Sequence, residues 1–335
     1  MTHALSKTFN RRQFMATGTA AAGAIGFPAL AQDAKYPSRT ITIVVPFPAG
    51  GAVDTAGRAM GERLSRVLNQ TVIIDNKGGA GGAIGSTFVA RAKPDGYTLV
   101  VTSQSSHVAN PAFNPNLPYD AIKDFAPITL IERLPNVLLI NPSVPAKNME
   151  EFVAYAKKNP GKLNYASSGN GSMLQLNMEL LKSKYGIFLT HIPYRVAGTT
   201  LSDLMSGQVH AMFTNVQASN VGYVKQGKLR ALAVASPERS EVLPDVPTFG
   251  ELKQADLNLT SWTGLAAPAG TPDAIVNQLY AAMRTVLQDP ATLAAWKQRG
   301  SIVPEAVSPA EYRQEISNRI AFYKKLIKAH NLSAA

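Results

Sequence analysis

Ten short β-branched runs, set between segments of helical periodicity, constrain this chain of 335 residues more than any other feature of its sequence. The runs fall at 41–46, 71–75, 98–102, 126–130, 136–141, 163–166, 189–192, 209–214, 229–235 and 263–267. Strands that alternate with helices predict an α/β protein with largely parallel sheets. One helix is expected over 53–68, where Val53, Ala56, Met60, Leu64, Val67 and Leu68 recur at about the helical spacing. Asn148 ahead of Glu151, and Thr271-Pro272-Asp273 ahead of Ile275, Leu279, Met283 and Val286, mark two further helix starts. Ser308-Pro309-Ala310-Glu311 supplies a capping hydroxyl, a proline in the first turn and a returning carboxylate. The helix it opens carries Tyr312, Ile316, Ile320, Tyr323 and Ile327 as one apolar stripe. No low-complexity linker or solenoid-length repeat divides the chain, so two lobes are expected, with crossings near 130–137 and 255–262.

The first residues stand apart from this pattern. Arg11-Arg12 precede Phe14, an Ala/Gly/Thr stretch follows, and Ala29-Leu30-Ala31 closes it. A positive start, a short apolar middle and small residues at the end describe an export signal, cut after Ala31, and the paired arginines point to the twin-arginine route. No later segment reaches the roughly 18 unbroken apolar residues of a membrane span. The formal charge of +11 falls to +8 once Lys7, Arg11 and Arg12 leave with the signal. The remaining lysines and arginines are scattered, without runs or interleaved aromatics, which argues against nucleic acid and for small anionic ligands. The absence of cysteine excludes thiol nucleophiles, thiolate metal sites and disulfides.

Four polar loops each follow an expected strand: 46–54, 103–107, 167–172 and 195–200. The first, Pro46-Phe-Pro-Ala-Gly-Gly-Ala-Val-Asp54, empties a β-branched run into a helix. Gly50 and Gly51 let the backbone approach a ligand, and helix-start amides present free N–H groups to an anion. Asp54 is ambiguous, since an acid is favoured in any first helical turn, yet facing a cleft it would repel an anion. Enzyme signatures are missing: there is no Gly-x-Ser-x-Gly, Ser-x-x-Lys or His-Glu-x-x-His. His107, His191 and His210 lie far apart and read as ordinary loop or core histidines. Gly79-Ala-Gly-Gly-Ala-Ile84 fails the dinucleotide fingerprint at Ile84, and Gly222 to Lys228 has P-loop spacing but Leu229 in place of the hydroxyl. No cofactor and no metal site is expected.

Several blocks together resemble a known family. Pro46 to Asp54, Asn76 to Gly85, Lys93-Pro-Asp-Gly-Tyr-Thr98, Gly264 to Pro272 and the stretch Tyr194 to Phe213 look like the periplasmic solute receptors of tripartite tricarboxylate transporters, the Bug proteins. The resemblance spans nearly the whole chain after Ala31. It implies a type II periplasmic-binding-protein fold of two α/β lobes, with 32–134 plus 258–335 as lobe 1 and 135–257 as lobe 2. It also implies that the loops holding Phe47, Ala49, Gly50, Gly51 and Asp54 on one side, and Arg195, Gly198, Thr199 and Thr200 on the other, pinch a ligand carboxylate. Ser103, Ser167, Gly169, Asn170 and Asn215 would meet the ligand's far end. The chain departs from the usual pattern at Gln175, where many relatives have histidine, and at Arg195, where lysine is common.

The function expected from this is a monomeric, non-enzymatic periplasmic receptor that closes on a small organic acid and delivers it to membrane transporter subunits. Di- and tricarboxylates, acidic amino acids and aromatic acids all remain open as ligands. The rival functions are a sensing receptor for a signalling partner, and an exported α/β hydrolase or lyase using Asp54 or His107 as base.

Overall fold

An unbroken apolar strand can be stable only if both of its faces are covered, and β1 (Ile41–Val45) is buried along nearly its whole length. In the computed structural model, which describes residues 36–194 and 197–332, β1 is an inner strand of a five-stranded sheet in the order β2-β1-β3-β10-β4. Its partners are β2 (Val72–Asn76), β3 (Thr98–Ser103), β4 (Phe125–Leu134) and β10 (Ser261–Pro268). A second sheet has the order β7-β6-β8-β5-β9, built from β5 (Asn136–Ile140), β6 (Asn164–Ser167), β7 (Thr190–Pro193), β8 (Ala211–Asn215) and β9 (Arg230–Ala235). All ten expected strands are present, in one compact unit that runs from Pro37 to Ala335. The export signal expected over 1–31 lies outside the described residues.

The sheets are mixed, which corrects the expectation of largely parallel pairing. Strands β1, β2 and β3 pair in parallel, as do β6, β7 and β8, while β10 and β5 run antiparallel to both of their neighbours. The cause is the route of the chain. It leaves the carboxyl end of β4, passes only Pro135 and enters β5, so β5 starts where the parallel strands of its new sheet end. Strand β10 returns in the same sense. Neither strand has a helical crossover to turn it round, so each must oppose its neighbours.

Asn136, fully buried, ties these passages together. Its Nδ2 donates to Leu259 O (2.6 Å), and its Oδ1 accepts from Asn215 Nδ2 (2.7 Å) and Ser261 Oγ (3.1 Å). Val216 N donates to Pro135 O at 2.8 Å. The buried side chain of Asn136 and the carbonyl of Pro135 thus have partners where the chain crosses, as burial requires.

In the first sheet's layer the helices are α1 (Ala52–Leu68), α2 (Ala83–Ala90) and α3 (Asn110–Phe113). Against the second sheet lie α4 (Met149–Lys158), α5 (Met173–Tyr185), α6 (Ala197–Ser206) and α7 (Ala218–Lys225), and α8 (Asp273–Gln288), α9 (Pro290–Gln298) and α10 (Pro309–Ala329) complete the chain. Helix α1 buries Ala56, Met60 and Leu64, but its stripe stops there: Val67 is 42% exposed. Gly57 and Gly61 let α1 lie close on the sheet, since a Cβ at Gly57 would meet Val45 Cγ2 at 2.9 Å. Helix α10 has the expected capping box between Ser308 and Glu311 and buries Tyr312, Ile316 and Tyr323. It lies along β4, and His330 just beyond it meets Ser183 of α5 (Nδ1 to Oγ, 2.9 Å), so it straps the first sheet to the second.

Candidate functional site

The carboxyl ends of β1, β3 and β8 open onto a cavity of about 520 Å³ between the two sheets. From the first sheet come the β1–α1 loop, with Phe47, Pro48, Gly50, Gly51, Ala52 and Val53, and the turn after β3, with Ser103, Gln104 and Ser105. From the second come Ser168, Tyr194, residues of α6 including Thr200, Leu201 and Met205, and Met212, Thr214 and Asn215 of β8. Leu134, Ser261, Trp262 and Thr263 from the crossing strands also line the cavity.

Helix α1 begins at Gly51 (φ −78°, ψ 172°) with no side chain capping it. Its first-turn N–H groups, including those of Ala52 and Val53, have no acceptor within the helix, and both residues face the cavity. Such a terminus favours an anion through both hydrogen bonds and the helix dipole.

The Gly50 amide behaves differently from the expectation that it faces a ligand. It donates to Asp54 Oδ2 (2.9 Å), which also accepts from Arg58 Nε (3.0 Å), while Asp54 Oδ1 accepts from Asn76 Nδ2 (2.8 Å). Asn76 Nδ2 further donates to Phe47 O at 3.1 Å. Asp54 is therefore a brace inside the loop, 3% exposed and absent from the cavity wall. Burial pushes its carboxyl up, but the bonds from Arg58, Gly50 and Asn76 outweigh that and hold it below the ordinary carboxylate value.

A depressed native pKa means that Asp54 contributes its stability above the ordinary carboxylate range and loses it as pH falls through the lower native value. Asp54→Asn keeps the shape but turns a donor toward Arg58, and is expected to cost about 2 kcal/mol at neutral pH. The gap to the wild type should narrow in urea titrations as the pH is lowered from about 7 to about 3. A gap that is constant with pH would exclude this role for the charge.

The other expected site residues divide. Phe47, Gly50, Gly51, Ser103, Thr200 and Asn215 line the cavity, whereas Ala49, Asp54, Ser167, Gly169, Asn170 and Thr199 do not; Gly198 belongs to the first turn of α6. Arg195 lies outside the described residues. Ser167 is fully buried, with Oγ accepting from Gly169 N (3.1 Å) and 2.6 Å from His191 Nε2, and it is the next residue, Ser168, that reaches the cavity. Gly169 and Asn170 instead meet the loop after β2: a Cβ on Gly81 would sit 2.7 Å from Asn170 O. The two sheets' loops also bond where Met173 N donates to Ser105 Oγ (3.0 Å). Gln175 stands off the cavity wall, accepting from Gly171 N at 2.7 Å.

His107 is fully buried against Phe125 (ring centroids 4.6 Å apart), and burial lowers its pKa to about 3, so it stays neutral. Glu132, also fully buried, lies one layer behind the wall: Thr263 Oγ1 donates to its Oε1 at 3.4 Å, and Arg299 is 4.0 Å away. Burial raises its pKa against the opposing pull of Arg299, Ser301 and Thr263.

Sequence patterns missed the apolar wall. Leu201 and Met205 flank the fully buried Leu204, so α6 is apolar on a second face as well as on its core face, and Tyr223 of α7 joins them on the wall. That surplus of apolar residues was the available signal.

The model of tripartite tricarboxylate transporter family receptors matches residues 56–332. Protein BugT of Bordetella pertussis is 33% identical over 294 residues, covering 88% of this chain and 90% of that protein. The periplasmic binding protein BugD has a TM-score of 0.84 at 33% identity, with 89% of this chain and 99% of that one covered. MatC from Rhodopseudomonas palustris, solved with bound malate, has a TM-score of 0.83 at 35% identity, with 87% of this chain and 100% of that one covered.

Proposed function

Because the chain belongs to the tripartite tricarboxylate transporter receptor family, we propose that it captures a small organic carboxylate in the cavity between its sheets and delivers it to a membrane transporter. The observation that carries this reading is the uncapped start of α1: the amide-bearing backbone of Gly51, Ala52 and Val53 lines the same cavity as Thr200 of α6. A carboxylate placed there gains charge-assisted hydrogen bonds without an arginine. The malate bound to MatC supports the same ligand chemistry.

Closure is the mechanism. A ligand held from both sides stabilises the shut form in proportion to its extra contacts there, and a transporter can distinguish shut from open. We assign 32–134 plus 258–335 to one lobe and 135–257 to the other, in keeping with the strands each sheet contains. The receptor works in the periplasm after the leader is removed beyond Ala31. We read it as a receptor that does not transform its ligand, and the placement of Asp54 and His107, the bases named for a hydrolase, supports this, since both are committed away from the cavity surface.

Isothermal titration with malate, citrate, glutamate and an aromatic acid tests the reading, alongside mass spectrometry of any molecule retained through purification. At least one carboxylate should bind with micromolar or better affinity and remain chemically unchanged. Binding of a sugar or a cation with no response to any acid would reject it.

A further inference from the structure

Resting on the carboxylate reading above, we infer that the ligand also carries a hydroxyl group, held where the strands cross by Ser261, Thr263 and Asn220.

The cavity wall is rich in hydroxyl and amide side chains, and at the crossing their hydrogen bonds run in one direction. Ser261 Oγ donates its only proton to Asn136 Oδ1 (3.1 Å), and Thr263 Oγ1 donates its own to Glu132 Oε1 (3.4 Å). Asn220 spends Nδ2 on Asn215 O (2.9 Å) and Thr214 Oγ1 (3.3 Å). Tyr194 repeats the pattern, donating to Asp203 Oδ2 at 2.6 Å. All four side chains line the cavity, and all have turned their donors to partners within the protein. A hydroxyl that has given its proton, or an amide that has given both N–H groups, can only accept.

The start of α1 has the opposite polarity. Its first-turn amides are free to donate, and Ser105 Oγ on the same wall accepts from Met173 N (3.0 Å) and keeps its proton to give. One cavity therefore offers donors to a carboxylate and, at the crossing, acceptors to a different group. A ligand that displaces water from those acceptors loses bonds unless it brings a donor of its own.

That donor is a hydroxyl and not an ammonium. Trp262 lies between Ser261 and Thr263 on β10 and lines the same cavity, and its buried Nε1–H has no partner. A hydroxyl can donate to an acceptor and accept from an N–H at once, whereas an ammonium accepts nothing. Gln104, which gives Nε2 to Tyr323 Oη (2.9 Å), keeps a buried Oε1 without a partner and adds a further acceptor to the wall.

Titration calorimetry on matched acids tests this at one and at two carboxylates, so that the number of acid groups cancels within each set. The sets are butanoate, 4-hydroxybutanoate and 4-aminobutanoate; 3-phenylpropanoate, 3-phenyllactate and phenylalanine; and succinate, malate and aspartate. In the set that binds tightest, the hydroxy acid should bind at least ~10-fold tighter than its deoxy and amino counterparts. Thr263→Val and Ser261→Ala should each cut that ratio to about 3-fold or less while the deoxy acid binds as it does to the wild type. A variant that only loosens the wall would weaken both acids alike and leave the ratio unchanged. Ser261→Ala carries the test should Thr263→Val fail to match the wild-type circular dichroism and melting temperature. If the deoxy or amino acid binds as tightly as the hydroxy acid, or if the ratio survives in the folded variants, the hydroxyl inference is overturned and the carboxylate reading stands. If no acid of any set binds, the carboxylate reading itself fails and the hydroxyl inference falls with it.

Discussion

Gly51→Asp is expected to reduce carboxylate affinity by about 100-fold while leaving the ligand-free protein at least as stable as the wild type. The argument starts from a helix whose first amides have no side-chain cap. Backbone angles of φ −78° and ψ 172° at Gly51 are open to any residue, so aspartate introduces no strain. Its carboxylate would accept from the N–H of Val53 or Asp54, the bonds proposed for the ligand, and add a like charge at the same place. Aspartate in place of glycine at this cap is worth a few tenths of a kcal/mol, and its charge at the positive end of α1 adds about 0.3–1 kcal/mol. Gly51→Asn separates the two effects: it caps without charge and should cost about 10-fold in affinity. Calorimetry and ligand-free melting curves measure the two quantities. A Gly51→Asp protein that binds as tightly as the wild type would show that the start of α1 does not hold the acid. Gly50→Val is a poorer test, because Gly50 has φ +82°, where a β-branched residue is strained whatever the ligand does.

The parts of this molecule that local chemistry decides were legible in the sequence. Strands showed as β-branched runs, the capping box of α10 as Ser308 and Glu311 three residues apart, and the β1–α1 loop as a Pro/Gly stretch between a strand and a helix. The remainder depended on residues distant in the chain. Asp54 turns inward because Asn76, on the neighbouring strand, and Arg58 reach it, and the sequence around 54 carries no trace of Asn76. The antiparallel entry of β5 and β10 follows from where the chain crosses, which a run of Val and Leu does not record. The choice of Ser168 over Ser167 on the cavity wall is a one-residue matter of strand alternation at the end of β6, beyond what composition resolves. The cavity's apolar wall was hidden for a simpler reason: Leu201 and Met205 resemble the core residues beside them.

Gly264→Ala is expected to destabilise the protein by about 4 kcal/mol, more than any other single methyl addition considered for the fold. Gly264 lies in β10 between β3 and β4, directly beneath Tyr312 of α10. A Cβ there would sit 2.1 Å from Tyr312 Oη, 2.5 Å from its Cζ and 2.9 Å from Thr129 O. Tyr312 has nowhere to go. It is fully buried, its hydroxyl bonds Thr102 Oγ1 at 2.5 Å, and its ring packs edge-on against Trp262 with centroids 5.5 Å apart. Relieving the clash means losing a buried hydrogen bond, about 1–3 kcal/mol, and displacing a well-packed ring, about 1–3 kcal/mol more. The disturbance also reaches the cavity. Tyr312 anchors the start of α10, the same helix holds Gln104 through Tyr323, and Trp262 lines the cavity itself, so ligand affinity should fall together with stability. Urea unfolding of Gly264→Ala, Tyr312→Leu and the double variant would expose the contact, because the double variant should lose far less than the sum of the two single losses. Additive losses, or a Gly264→Ala cost below about 1 kcal/mol, would show that α10 can move off β10 at little cost and that the strap across the two sheets is looser than its packing indicates.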